Sequence, residues 1–509
     1  MNYPVWELAF GSGLLMAIVA VLHVFVSHFA IGGGLFLSLT EYYAVSKKDA
    51  HLLGYLKLHS RFFALLTLVF GALTGVGIWF TIGLINPAAT SALIHNFVWF
   101  WAIEWIFFYI EVAAAVVYYA TWDKISQRAH FIVGWIYFIS AWLSLVIING
   151  ILTFMLTPGA WLADQNIWAA FFNPTYLPSL LARMSICVAL AGIYALITGS
   201  FVKQERTRIR LMRYAGLWAF TGSLTALPSY GYYYRLLPLD ANEILAGTMP
   251  TSLTAAQILA WAGIALIVLT LIPVIFPRKL RLGYSFLFAV IALTTFGASE
   301  FVRESVRKPY VIYGYMYGNG LRPEEYATIS ERGGVLESAI WVENRTAALN
   351  EDVGEDVFRV ACRNCHSLSG YKGLRKPLAG LDAAFVGEVI QRLELLRGKM
   401  PPFPGSDTER QALVLYLVNQ TDPAHLLNSG EEVFRKRCSI CHTRDREYRG
   451  LMPIVRNHTY QSLLRRIPTL GSMQKKMAPW SGTPEEAELL TEYIMSWFDV
   501  DTETAIGGQ

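Results

Sequence analysis

The chain has 509 residues, of which 54% are apolar, 14% are aromatic and only 16% are charged. So apolar a composition excludes a soluble protein of this length, and the sequence predicts a membrane protein surrounded by lipid. The formal net charge of +4 is small, and no nucleic-acid partner is expected.

Eight apolar segments are long enough to span a bilayer, and an even number of crossings places both chain ends on one side. Basic residues gather in the first, third, fifth and seventh loops, for example Lys47, Lys124, Arg206 and Arg278. Because basic loops remain in the cytoplasm, we expect both termini and everything after about residue 302 on the periplasmic side of a bacterial inner membrane. The predicted segments lie near 10–44, 61–83, 97–120, 132–157, 180–202, 213–235, 256–276 and 283–302.

The third segment carries two carboxylates, Glu104 and Glu111, seven residues apart in an otherwise apolar run. This spacing returns to the same face of a helix after two turns. A carboxylate at membrane depth is costly unless it is paired, protonated or exposed to a polar cavity. The pair therefore predicts an ion, proton or cofactor path, the alternative being a carboxylate that only satisfies a buried hydroxyl.

Helix topology also predicts the depth of the titratable side chains. The direction of each helix places His23, Glu104 and Glu300 together in the outer half of the membrane, with Glu111 deeper, toward the cytoplasm. An imidazole and two acids at one depth predict a site for iron, a proton or a cation.

Other polar side chains in these segments have two interpretations. His28 lies five residues after His23 and points elsewhere, so core hydrogen bonding is favoured over iron ligation for it. His59 is expected at the cytoplasmic interface. Arg183 and Arg303 lie near the outer boundary, where they can pair with cofactor carboxylates or extend to lipid headgroups.

The hydropathy falls after Pro309, and the soluble region that follows contains an internal repeat. EDVFRVACRNCHS at 355–367 is repeated as EEVFRKRCSICHT at 431–443, and KMPPF at 399–403 as KMAPW at 476–480. Two modules of one design are therefore predicted in tandem. The predicted domains are a membrane domain at 1–310, a linker at 311–350, module one at 351–422 and module two at 423–503.

Each module contains C-x-x-C-H, the sequence that binds a haem covalently through two thiols while the histidine ligates its iron. A methionine follows 34 or 35 residues later, and a His/Met axial pair is typical of electron-transfer cytochromes. Such haems pass electrons but offer no open position for a substrate. Two covalent haem c groups are predicted, one on Cys362, Cys365, His366 and Met400 and one on Cys438, Cys441, His442 and Met477, with Met473 a rival for Met477.

Several membrane motifs occur in a familiar order. LHVFVSHFAIGGGLFLSLTE places His23 eighteen residues before Glu41, and GALTGVGIWFTIG follows at 71–83. AIEWIFFYIE then precedes WDKI at 122–125, and NG at 149–150, NP at 173–174 and EFVRESVRKPY at 300–310 come after. In these motifs the first 310 residues resemble the haem-bearing subunit I of the cytochrome bd-type oxygen reductases. The fold class implied is all-α: a polytopic bundle of about eight membrane helices followed by two small α-helical cytochrome c modules.

The resemblance implies specific roles for the membrane residues. His23 would be an axial ligand of a high-spin haem and Glu300 a ligand of a second one, although the family's glutamate falls one turn earlier, near Gly297. Glu104 would lie beside the oxygen-reacting haem and Glu111 in the proton path. Two high-spin haems, of type b or d, and a second bd-like membrane subunit are expected.

The sequence also departs from the family. The fifth segment has Arg183 or Met184 where a histidine would ligate the low-spin haem b, and the seventh segment has no methionine. The outer loop that binds quinol is shortened to 238–255, and the two modules replace the ninth helix. We therefore expect no low-spin haem b, no direct oxidation of quinol, and electron input from an external c-type cytochrome or another donor.

These features together predict an enzyme that passes electrons through two haem c groups to high-spin haems and reduces dioxygen to water. One alternative is an electron-transfer subunit that only relays electrons between the membrane and external cytochromes. The other is a reductase of a different small molecule, such as nitric oxide.

Overall fold

The computed structural model describes residues 4, 6–279, 282–421, 427–445, 449–473 and 477–503. The regular secondary structure within these ranges is helical apart from one two-stranded sheet and two isolated β-bridges, so the all-α prediction is confirmed. Eight long helices form the membrane region: α1 Ser12–Ser46, α2 Ala50–Ile85, α3 Val98–Ala120, α4 Gln127–Phe154, α5 Tyr176–Gly199, α6 Glu205–Arg235, α7 Pro250–Ile275 and α8 Leu282–Ser305.

Seven of these described helices are long and apolar enough to cross a membrane, whereas α6 is not. The first turns of α6 carry Glu205, Arg206, Arg208 and Arg210, which lower its hydropathy. The prediction of membrane helices is therefore confirmed for seven segments, and the eighth crossing stays a prediction.

Close packing of α6 along α5 supports that eighth crossing. A Cβ on Gly192 would lie 2.2 Å from the Ala219 nitrogen, and a Cβ on Gly222 would lie 2.2 Å from the Ala189 nitrogen. The two helices therefore run antiparallel in backbone contact, which only small residues allow. Because α5 is among the seven apolar helices, this packing favours the predicted crossing by α6.

The two ends of the membrane bundle differ in what they contact. At one end, which we call the module face, the start of α1 and the end of α8 lie against the C-terminal region, since the Tyr371 amide donates to the Phe10 carbonyl at 2.8 Å. The opposite end, the basic face, carries the ion pairs Lys57–Asp123 at 2.5 Å and Arg210–Asp49 at 2.9 Å. Basic loops at one end of the bundle and the C-terminal region at the other agree with the loop charges in the sequence.

The segment predicted as a linker, 311–350, contains strands and short helices. Strands β1 Tyr310–Ile312 and β2 Met316–Tyr317 form an antiparallel hairpin, and Asn86 donates to the Gly318 carbonyl at 3.1 Å. The short helices Glu325–Glu331 and Val335–Ser338 follow and join the hydrophobic core of module one. The hairpin therefore covers the module face, and residues after it complete module one.

The two modules repeat one helix crossing. In module one, α9 Glu351–Ala361 crosses α10 Asp407–Asn419 where a Cβ on Gly354 would meet the Ala412 carbonyl oxygen at 2.1 Å. In module two, a Cβ on Gly430 would meet the Leu489 carbonyl oxygen of α11 Pro484–Glu503 at 2.0 Å. The same crossing in both modules agrees with the repeat in the sequence.

The remaining helical segments are short and connect these elements. Those of the membrane region are Pro87–Asn96, Trp161–Asp164, Ile167–Phe171, Leu239–Glu243, Ile244–Thr248 and Pro277–Lys279. Those of the modules are Arg375–Leu378, Ala383–Gln391, Leu393–Leu395, Gly430–Val433, Phe434–Cys438, Met452–Val455, Tyr460–Arg466, Ile467–Thr469 and Leu470–Met473. Residues Leu65–Gly71 of α2 form a π-helical turn, a feature that often marks a functional site.

Candidate haem sites and proton path

The two C-x-x-C-H turns have the same hydrogen bonds. The His366 amide donates to the Cys362 carbonyl at 2.9 Å, and the His442 amide donates to that of Cys438 at 2.9 Å. The Nδ1 atoms of His366 and His442 lie 3.0 and 3.1 Å from the carbonyl oxygens of Lys372 and Arg449. Because a carbonyl only accepts, each Nδ1 carries the hydrogen and each Nε2 keeps its lone pair for a metal.

The side chains of these turns suit covalent haem. Burial lowers the pKa of His366 to about 4, so its ring is neutral at physiological pH, the form that binds iron. Burial lowers the pKa of His442 as well. All the cysteines among the described residues are free thiols, Cys365 and Cys441 included. The residues present therefore fit one haem c in each module.

The methionines are placed less directly. Met400 and Met477 are both partly buried and follow the predicted spacing from their histidines. The side chain of the rival Met473 lies outside the described residues. Ligation by Met400 and Met477 stays a prediction.

Arg397, in module one, joins three parts of the chain. Its amide donates to the Ile440 carbonyl at 2.8 Å, and its guanidinium donates to the carbonyl oxygens of Ser439 and His442 at 3.0 and 3.2 Å, all in the second C-x-x-C-H turn. The same guanidinium donates to the carbonyls of Gly247 and Thr248 in the membrane domain, both at 3.1 Å. One side chain thus fixes module two against module one and the module face.

Further polar contacts hold the two modules together. The Lys436 ammonium donates to the carbonyl oxygens of Lys376 and Ala379 at 2.6 and 2.9 Å. Arg437 pairs with Asp382 at 3.3 Å. A cavity of about 320 Å³ beside His442 is also lined by Pro250 and Gln257 of α7. Module two therefore contacts both module one and a membrane helix at its predicted haem site.

The haem motif of module one lies over the end of α8. A Cβ on Gly318 would lie 3.2 Å from the Cys365 sulfur, and the hairpin that contains Gly318 follows α8 directly. Lys308 pairs with Glu304, in the last turn of α8, at 3.2 Å. The predicted haem of module one is thus next to the helix that carries Glu300.

Glu300 lies between two guanidinium groups. Its Oε2 is 2.9 Å from Arg303 Nη2, and its Oε1 is 3.9 Å from Arg183 Nη2. The Arg183 side chain is only 8% exposed, so it does not extend to lipid headgroups. The structure therefore favours pairing of both arginines inside the bundle. Iron ligation by Glu300 stays a prediction, and its carboxylate already has two cationic partners.

The structure supports one depth for His23 and Glu104. His23 Nδ1 lies 3.1 Å from Thr74 Oγ1 on α2, just after the π-helical turn. Ser144 donates to Glu104 at 2.7 Å. The Tyr137 hydroxyl joins Glu111 to the Ala30 carbonyl, at 3.1 Å from each, so Glu111 is level with Ala30.

Because α1 and α3 run in the same direction, Glu104 and His23, each seven residues earlier in its helix, are level with one another. Val21 lies 3.8 Å from where a Cβ on Gly297 would be, which brings α8 to the same depth. His23, Glu104 and Glu300 thus share a layer without touching one another, as their helices predicted. Their functional roles stay predictions.

The structure corrects the position of His59. It is 0% exposed and lies among Tyr55, Phe36 and Phe62 rather than at an interface. His28 is 1% exposed, and its Nδ1 lies 2.6 Å from the Val24 carbonyl. The predicted core hydrogen bond of His28 is therefore present.

Sequence reasoning missed one buried cluster near the basic face. Glu41 accepts from the Tyr118 hydroxyl at 2.7 Å and lies 2.7 Å from His130 Nδ1, while His130 Nε2 is 3.0 Å from the Tyr118 carbonyl. All three residues are less than 5% exposed. His130 follows the predicted cytoplasmic loop with no local motif, so only the fold brings it to Glu41.

Comparisons with known proteins match two parts of the chain. Residues 12–231 match the family model of cytochrome bd terminal oxidase subunit I, and residues 350–417 match that of cytochrome c oxidase, cbb3-type, subunit III. The first match lies in the membrane region and the second in module one. The bd oxidase of Geobacillus thermodenitrificans is similar over 60% of this chain and 88% of that chain, with 15% identity and a TM-score of 0.49. No curated protein matches the sequence.

These two family matches confirm the predicted resemblance. Together with the seven apolar helices, they indicate an integral membrane oxidoreductase that transfers electrons. The second family match ends at residue 417, so the assignment of module two rests on its repeated sequence and on the repeated hydrogen bonds of its C-x-x-C-H turn.

Proposed function

We propose that this chain is the catalytic subunit of a membrane reductase that takes electrons from an external donor through two c-type haems and reduces dioxygen to water. The observation that carries the proposal is the position of the two C-x-x-C-H turns. Arg397 bonds the turn of module two to module one and to the membrane domain, and the turn of module one lies at the end of α8.

Haem bound in the modules would supply one-electron carriers, and haem bound in the membrane domain would supply iron for the reduction of oxygen. The reaction consumes four electrons and four protons for each dioxygen and forms two water molecules. The chain must therefore bring electrons from the module face and protons from the other end. Cys362, Cys365 and His366 would hold the first covalent haem, and the equivalent residues of module two the second.

The connection between α6 and α7 supports electron input through the modules rather than from quinol. It contains only two short helical turns, Leu239–Glu243 and Ile244–Thr248. Arg397 bonds to the carbonyls of Gly247 and Thr248, and Lys399 pairs with Glu243 at 3.1 Å. Module contacts thus occupy the region in which the resemblance implies a long quinol-binding loop.

Polar side chains on α1, α3 and α4 support a proton path from the basic face. A tyrosine has one hydroxyl hydrogen, yet Tyr137 lies within bonding distance of both the Ala30 carbonyl and Glu111. The tyrosine either shares its hydrogen between the two acceptors or, when Glu111 is protonated, accepts from Glu111 while it donates to Ala30, and only the second arrangement gives two full bonds. Glu111 is therefore built to hold a proton.

The cluster of Glu41, Tyr118 and His130, nearer the basic face than Glu111, also needs a proton for its hydrogen bonds. His130 Nε2 must donate to the Tyr118 carbonyl, so the bond between His130 Nδ1 and Glu41 requires a second proton, held by either group. Ser38, one turn from Glu41, has a buried hydroxyl with no partner among the described residues. Along α1, Ser38 lies between this cluster and Gly34, where Tyr137 packs. A buried hydroxyl in this position is suited to binding a bridging water molecule.

Oxygen consumption by the purified protein tests the proposal. Electrons are supplied either by a reduced c-type cytochrome or by a short-chain quinol, with nitric oxide as an alternative acceptor in parallel. We expect oxygen uptake with the cytochrome donor, none with quinol alone, and loss of uptake in Met400→Ala and Met477→Ala. Rapid oxidation of the c-type haems by another acceptor with no oxygen uptake would identify an electron relay instead.

A further inference from the structure

We propose that His28 is an axial ligand of a haem iron in the membrane domain, in addition to the role predicted for His23. The inference rests on the proposed function in one respect, namely that the membrane domain binds haem. It departs from the sequence analysis in two respects. That analysis favoured a structural role for His28, and it named Glu300 as the ligand of the second haem.

The hydrogen bond of His28 prepares its ring for a metal. Nδ1 lies 2.6 Å from the Val24 carbonyl, which can only accept, so the hydrogen is on Nδ1. Nε2 therefore carries the lone pair that can bind a metal. That atom is fully buried and has no hydrogen-bond partner among the described residues. Buried polar atoms of this kind are rare in native proteins unless a bound group satisfies them.

The two histidines of α1 face different neighbours. His23 bonds to Thr74 and lies 3.1 Å from where a Cβ on Gly75 would be, both on α2. The His28 ring instead lies 5.5 Å from the ring of Phe296 on α8. Five residues turn a helix by about 140° beyond one full revolution, so the two rings point to two sites rather than to opposite sides of one iron.

Cationic side chains beside His28 complete the arrangement. Phe296, whose ring lies 5.5 Å from that of His28, is one turn before Glu300 on α8, and Glu300 pairs with Arg303 and Arg183. Arg303 also has a buried Nη1 with no partner among the described residues. A haem carries two propionate groups, and buried guanidinium nitrogens are suited to binding carboxylates. A free imidazole nitrogen and a free guanidinium nitrogen thus occur in one cluster of the described residues, which is the pair of contacts that a haem needs.

Glu300 is the weaker candidate for the iron. Its two carboxylate oxygens face Arg303 and Arg183 at 2.9 and 3.9 Å, and moving either oxygen to iron would leave a buried guanidinium without its anion. His28 can bind iron without breaking any contact that it makes.

His59 provides a matched control. Its Nδ1 also has a partner, Thr198 Oγ1 at 2.8 Å, and its Nε2 is also buried without one among the described residues. Its ring, however, is stacked on Tyr55 and flanked by Phe36 and Phe62. Aromatic rings therefore enclose it on the sides where they pack. The inference therefore applies to His28 and not to His59.

The test measures haem rather than activity. Acid–acetone extraction separates non-covalent haem from covalent haem c, and pyridine haemochrome spectra quantify both in the wild type, His28→Gly, His28→Gln, His23→Ala and His59→Gln. We expect His28→Gly to lose one equivalent of extractable haem, or to change its electron paramagnetic resonance signal, and to keep both haem c groups. Added imidazole should restore the signal, which a purely structural role would not allow.

The controls separate the possible failures. His59→Gln should keep all haems, and His28→Gln covers the case in which the glycine variant does not fold. If both His28 variants keep the wild-type haem content and resonance signals, the inference is wrong and the proposed function is unaffected. If the wild type itself yields no extractable haem, the membrane domain does not bind haem and the proposed function fails together with the inference.

Discussion

At the scale of single residues, this chain uses histidines whose Nδ1 is already hydrogen-bonded. His366 and His442 bond to backbone carbonyls through Nδ1, and so does His28. The three rings therefore have the same tautomer, in which Nε2 is available to a metal. Because the partner of each Nδ1 is a backbone carbonyl, the fold itself sets this tautomer.

Replacement of Glu111 by glutamine should slow turnover and leave every haem in place. The introduced amide could still donate to Tyr137 but could not release a proton, and a positioned acid or base contributes about 10²-fold or more to a proton-transfer step. Oxygen uptake in E111Q is therefore expected to fall by about that factor, with unchanged haem spectra. Wild-type uptake in E111Q would remove Glu111 from the path.

His130 provides a separate test near the basic face. H130Q keeps a polar side chain beside Glu41 but cannot exchange a proton with it. We expect lower oxygen uptake, an altered pH profile and a larger solvent deuterium isotope effect than in the wild type, while the c-type haems are still reduced at the normal rate. An unchanged isotope effect would mean that the cluster of Glu41, Tyr118 and His130 is only structural.

The residues that sequence could predict are those whose chemistry is local. Cys362, Cys365 and His366 form a haem motif within one turn of chain, and Glu104 and Glu111 are conspicuous because acids are costly in an apolar helix. The pairing of Glu41 with His130 joins α1 to α4. The Nε2 atom of His28 is without a partner among the described residues because its ring faces the aromatic Phe296 of α8. Such features exist only after folding, so no spacing in the sequence indicates them.

At the scale of elements, α5 and α6 depend on glycine for their contact. Gly222→Ala would place a methyl group 2.2 Å from the Ala189 backbone nitrogen, and overpacking of this kind typically costs about 1–3 kcal/mol. Gly231, in the same helix, has no described atom within 4 Å of the position that a methyl group would take, so Gly231→Ala should be neutral or stabilising. Thermal unfolding in detergent should show a lower midpoint for G222A alone, and equal midpoints would contradict the contact.

Arg397 offers a prediction about the joint between modules. A hydrogen bond from a charged donor contributes about 1.5–3 kcal/mol, so R397A should weaken the docking of module two by at least ~2 kcal/mol, or about 30-fold. In stopped-flow reduction, we expect slow electron passage between the c-type haems and unchanged spectra for both. Arg410→Ala, which removes a partly exposed arginine of α10 that pairs with Asp407, is the matched control. Equal rates in the two variants would exclude a positioning role for Arg397.

At the scale of the whole molecule, orientation remains a sequence prediction that the two faces of the bundle support. If the basic face is cytoplasmic, protease added to right-side-out spheroplasts should release haem-staining fragments of the modules and leave the loop between α5 and α6 intact. Inverted vesicles should give the opposite pattern. If the haem-staining fragments are instead protected in spheroplasts, the predicted topology is wrong, and the proposed proton path would open to the periplasm rather than to the cytoplasm.

The three-way bonding of Arg397 also bears on how electrons travel. Many redox chains carry an electron on a domain that swings between donor and acceptor, and their speed then depends on the viscosity of the medium. Here Arg397, Lys436 and Arg437 bond the modules to each other, and Arg397 bonds them to the membrane domain as well. Electrons would pass through modules held in fixed positions, and the external donor would be the electron carrier that diffuses.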